Sequence, residues 1–88
     1  MTLGLAISQI ALYEGRRASS MAESALLQAQ LTAAVMNGNA GVQQALQSQI
    51  VMLQLLIGLY NQFIEFWRKA AQNTLELLKG FSELAFGR

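Results

Sequence analysis

The side chains here that could move a proton or attack a substrate are few. Histidine and cysteine are absent, which removes the usual zinc and haem ligand sets and every disulfide. The five carboxylates, Glu14, Glu23, Glu65, Glu76 and Glu83, are spread along the chain and read as members of solvated rows or ion pairs rather than as a general acid and its base. A Ser, Thr or Lys nucleophile would need a base and a presenting turn, and no Gly-x-Ser-x-Gly occurs. The glycines near positions 38 to 41 are not followed by the Lys-Ser or Lys-Thr of a phosphate-binding loop. No catalytic, cofactor-binding or metal-ligating residue is therefore assigned, no cofactor is expected, and the chain is read as a non-enzyme.

What the residues can do is associate. The chain has 88 residues, 53% of them hydrophobic and only 12% charged, with a formal net charge of +1. The charged share is about half that of an ordinary soluble domain, and a near-neutral surface favours association. A nucleic-acid groove would need clustered cations, whereas the only adjacent pairs are Arg16-Arg17 and Arg68-Lys69, so no specific nucleic-acid binding is expected.

The second half carries the strongest pattern. Ile50, Leu53, Ile57, Tyr60, Ile64, Trp67 and Ala71 step by threes and fours, and so do Met52, Leu56, Leu59, Phe63, Phe66 and Ala70. One helix thus bears two adjacent apolar stripes and needs cover on several sides, from protein or from lipid. With Leu77, Leu78 and Phe81 these residues form the expected assembly interface; Leu53→Glu or Phe63→Glu is expected to abolish assembly. Between them the two stripes leave only a narrow polar row, and its members Gln47, Gln54 and Asn61 are candidates for a lumen or a buried polar seam. No charged residue occurs from Ser24 to Ile64, which suits shielded, hydrogen-bonded surroundings. The Trp67, Phe63, Phe66 and Tyr60 cluster reads as packing rather than as a ligand box.

These stripes need elements to hold them. There is no proline, so helices can run long and glycine supplies the punctuation. Thr2 is a candidate N-cap for a first arm ending at Met36, with Leu3, Ile7 and Ile10 on one face. Gly15 either bends this helix, splits off a short N-terminal one, or is tolerated. Ala18, Ala22, Ala25, Ala29 and Ala33 make a stripe of small side chains suited to close helix packing; alanine's helix propensity alone also accounts for it. In Asn37-Gly38-Asn39-Ala40-Gly41, Asn37 and Gly38 suit a helix end and Asn39 an N-cap. The expectation is an all-α, two-helix hairpin: 1–36, a turn at Asn37–Gly41, and 42–86, forming one assembly subunit over 1–88. The second arm, about 70 Å against about 50 Å for the first, should overhang it.

The run Asn39-Ala40-Gly41-Val42-Gln43-Gln44-Ala45-Leu46-Gln47-Ser48-Gln49-Ile50, leading into a C-terminal amphipathic helix, resembles the needle and inner-rod subunits of type III secretion systems. The resemblance covers about the last fifty residues; it implies small subunits, exported without a cleaved signal, that polymerise into a hollow tube. The proline common in that family's turn is absent here. No individual functional residue is carried over.

The expected function is thus structural: self-assembly through the long second helix, as many copies, into a ring, hollow tube or filament, including a secretion or translocation conduit. The alternative is a membrane-active or membrane-coating helical protein, such as a pore-forming, phage or viral component. Met1 to Tyr13 is apolar but has no basic residue before Arg16, so a conventional signal peptide is not expected. Export without cleavage, or association with a cell envelope or virion, fits either case.

Overall fold

The computed structural model describes residues 2–86. Two α-helices, α1 (Leu3–Met36) and α2 (Ala40–Ala85), fold back on each other as an antiparallel hairpin within a rod of 73 × 16 × 14 Å. Helix α1 begins where the extended Thr2 turns its hydroxyl to accept from the Leu5 N–H at 3.1 Å. It then runs unbroken through Gly15 to Met36. A Cβ added at Gly15 would meet nothing within 4 Å, so Gly15→Ala should raise stability by about 1 kcal/mol, read from the urea midpoint.

The turn is tighter than the five residues expected. Gly38 adopts a φ of 68°, the Asn39 N–H donates to the Ala34 carbonyl at 3.1 Å, and the Gly38 N–H donates to Val35 at 3.1 Å. These bonds close the end of α1 around a left-handed residue. Asn39 then caps α2, its Oδ1 accepting from the Val42 N–H at 3.2 Å, so the second helix starts at Ala40. Gln43 ties the ends together by donating from Nε2 to the Ala34 carbonyl at 3.3 Å. There is room for a side chain at Gly38 but not the right backbone: Gly38→Ala should cost about 1–2 kcal/mol, seen as a lowered Tm.

Each helix turns one row of residues inward, spaced alternately by three and four. In α2 the row is Gln43, Leu46, Ile50, Leu53, Ile57, Tyr60, Ile64, Trp67, Ala71 and Thr74, all buried or half-buried. In α1 it is Leu3, Ala6, Ile10, Tyr13, Arg17, Ser20, Ser24, Leu27, Leu31 and Ala34. A mean step of 3.5 residues on both sides is the pattern of a left-handed antiparallel coiled coil.

The packing between the rows is uneven. Near the turn, Leu27, Ala34, Leu46 and Ile50 form one cluster, with Leu31 and Leu53 against it. Towards the other end Ile64, at 1% exposure, is the only large side chain that is fully buried among the described residues. Tyr13 lies beside it in the chain fold, its ring 6.0 Å from Tyr60 and 5.1 Å from Phe63 between centroids. Between these centres α1 offers only Arg17, Ser20 and Ser24, so the middle of the hairpin is thin.

Candidate functional site

The second apolar stripe of α2 is the first stripe moved back by one residue. Met52, Leu56, Leu59, Phe63, Phe66 and Ala70 each precede a residue of the inward row, and one residue is about 100° of helix. The stripe therefore looks sideways out of the hairpin. Met52 is 68% exposed, Leu59 47% and Phe66 58%. The expected interface thus falls into two parts. Ile50, Leu53, Ile57, Tyr60, Ile64 and Trp67 are packed on α1, while Leu56, Leu59, Phe63, Phe66, Leu77, Leu78 and Phe81 face out.

The outer end of α2 is bare on all sides. Leu3 of α1 stands level with Thr74, so Leu75 and beyond have no first helix beside them. Leu77, Leu78, Phe81, Leu84 and Phe86 range from 55% to 85% exposed. Phe63, Phe66, Phe81 and Phe86 alone leave roughly 500 Å² of ring in solvent at about 200 Å² each. The largest apolar patch on an ordinary monomer totals about 300–600 Å².

The two long sides of the hairpin differ. On one, polar bonds lock the helices together: Arg68 pairs with Glu14 at 3.2 Å, Arg17 reaches Glu14 at 4.0 Å and donates from Nη1 to Asn61 Oδ1 at 2.7 Å. On the other lies the apolar stripe. There Arg16 sits over the Tyr13 ring, 5.8 Å from its centroid, and Tyr13 in turn touches Phe63. Further along the same side Glu23 and Gln49 border a groove floored by Leu27, Met52 and Leu53. Among the described residues, ion pairs involve Glu14, Arg17, Glu65, Arg68 and Lys69, and Arg16 and Glu23 take part in none.

Three groups of residues that the sequence singles out lie off the contact between α1 and α2. Gln47 and Gln54 are exposed on the flank of the contact line, and Asn61 is exposed while accepting from Arg17. The alanine stripe Ala18, Ala22, Ala25, Ala29 and Ala33 points away from α2, exposed throughout. Close approach inside the hairpin comes instead from Ala6, Ser20, Ser24 and Ala34, of which Ser24 is satisfied by the Gln28 amide at 3.2 Å. Ile7, which spacing puts on one face with Leu3 and Ile10, is 56% exposed, while those two are half-buried. The serines were missed because hydrophobic spacing does not count them.

No three His, Cys, Asp or Glu side chains converge on a metal-sized site among the described residues. The carboxylates lie apart, Glu65 pairing with Lys69 at 3.6 Å and Glu14 with the arginines. Helix α2 is long and apolar enough to cross a membrane, with an 18-residue window of mean hydropathy 1.3 that is only 11% buried. Comparison of the chain with protein-family profiles, curated proteins and solved structures gives no match.

Proposed function

We propose that this chain is a structural subunit that assembles with many copies of itself, using the outward stripe of α2 and its overhanging end. The observation that carries the reading is the stripe from Met52 to Phe66, an apolar row as regular as the one packed on α1 yet left in solvent. Burying apolar surface is the main driving force for association, and here such surface is exposed on one side and at one end of the rod. A ring, hollow tube or filament follows when such contacts repeat, and a secretion or translocation conduit of the type III needle kind is the form that the Gln-rich return helix suggests. The function is mechanical, with no chemistry of its own.

Sedimentation and thermal unfolding over a range of concentrations test it. An assembling chain sediments faster and melts higher as concentration rises. A discrete monomer at micromolar concentration, unfolding at the same temperature throughout, refutes the reading.

The exposed hydropathic window of α2 supports a second reading, in which lipid covers the same stripe. Liposome flotation separates the two: a protein-only assembly stays in the dense fraction, whereas a lipid-covered helix floats.

A further inference from the structure

We infer that the first contact this chain makes is with one second copy, two-fold and antiparallel, joining the apolar sides of two hairpins into a four-helix bundle. The inference rests on the self-assembly reading and specifies its geometry.

The angle is the first argument. On α2 the free stripe stands about 100° from the row that packs on α1, which is the corner angle of a square of four helices. Helix α1 repeats the arrangement: the row one residue before its inner row runs Leu5, Gln9, Leu12, Arg16, Ser19, Glu23, Leu26 and lies on the same side. The Arg16–Tyr13–Phe63 stack and the groove between Glu23 and Met52 place the two rows together. A partner copy laid on this side therefore completes two corners at once.

Charge is the second argument. Within this side's α1 row, Gln9, Arg16, Glu23 and Gln30 are spaced seven apart, an order that a two-fold axis between Arg16 and Glu23 converts into two reciprocal Arg–Glu pairs. A two-fold axis along the rod would instead lay α1 on the partner copy's α2 and set Arg16 and Glu23 against its uncharged stretch. The third argument is area. Together the two rows expose apolar surface on the order of 700 Å², close to the roughly 800 Å² per partner of a standard interface. The overhanging ends of α2 would then project from opposite ends of the bundle, free to join the next one.

The axis fixes what can be crosslinked. Ser19 and Ser20 stand level with Ile57 and Gly58, so Leu59 lies about 1.5 residues from the axis and Phe66 about 8.5, or roughly 4.5 Å and 25 Å from their mates along the rod. Because the chain lacks cysteine, single-cysteine variants report cleanly. With a short bis-maleimide, Leu59→Cys should give covalent dimer and Phe66→Cys almost none. Linking of both, or of neither in a chain that still sediments as an oligomer, overturns the two-fold geometry and leaves self-assembly standing. A chain that sediments as a monomer overturns both. A second measurement uses charge: Arg16→Glu and Glu23→Arg should each weaken dimers about tenfold at low salt, and a one-to-one mixture of the two variants should restore them. A mixture no tighter than either variant alone overturns the pairing.

Discussion

Ile64→Ala should remove about 3 kcal/mol from the hairpin, enough to melt much of it at room temperature when dilute. Large-to-small changes at fully buried aliphatic sites cost about 2–5 kcal/mol, through lost transfer energy and the cavity left behind. Ile64 meets the condition as no other large side chain here does, at 1% exposure. It is also poorly backed up, since towards the turn α1 supplies only Arg17, Ser20 and Ser24 before the Leu27 cluster begins. Helicity at 222 nm against urea gives the measurement. Leu55→Ala, at a site 63% exposed, should stay within about 0.5 kcal/mol of the parent as a monomer. Equal urea midpoints for the two variants would mean that Ile64 is not where the hairpin is held.

The hairpin could be read in the sequence because its signals are local. Asn37-Gly38-Asn39 carries both a left-handed helix end and an N-cap, and no proline interrupts either arm. The two stripes of α2 were also legible, since both consist of bulky residues at regular spacing. Which of them meets α1 was not, because they differ by a single residue and periodicity weighs them alike. The choice is made by the partner helix, whose inner row is the least legible feature of the chain. Arg17, Ser20 and Ser24 stand where a leucine row would have announced itself, while the conspicuous alanines at 18, 22, 25, 29 and 33 turn outwards. Serine is nearly as small as alanine, so small volume rather than hydrophobicity admits Ser20 and Ser24 to the inner face of α1, level with Ile57 and Leu53. Asn61 shows the same limit on the other side: spacing marks its amide as polar, and only the fold shows its oxygen accepting from Arg17 across the hairpin.

Phe66→Glu should dissolve the assembly while leaving the hairpin folded, a separation that Leu53→Glu cannot achieve. Both substitutions put a charge where an apolar side chain stood, and each loses several kilocalories per mole if the charge is buried unpaired. Leu53 is half-buried against the Leu27 cluster, so a glutamate there strikes the fold itself and helicity falls together with association. Phe66 is 58% exposed, its ring edge-on to Trp67 at 5.3 Å, and a glutamate there remains solvated in the single hairpin. The charge is desolvated only when a neighbour covers the stripe, and in a two-fold contact it is desolvated twice. A loss of about 3 kcal/mol corresponds to a rise of more than a hundredfold in the dissociation constant. Sedimentation at micromolar concentration should therefore show Phe66→Glu as a monomer with the parent's helicity per residue, and its Tm should no longer depend on concentration. If Phe66→Glu particles match the parent in size, the Met52–Phe66 stripe is not the assembling face, and the exposed leucines and phenylalanines beyond Thr74 must supply the contact by themselves.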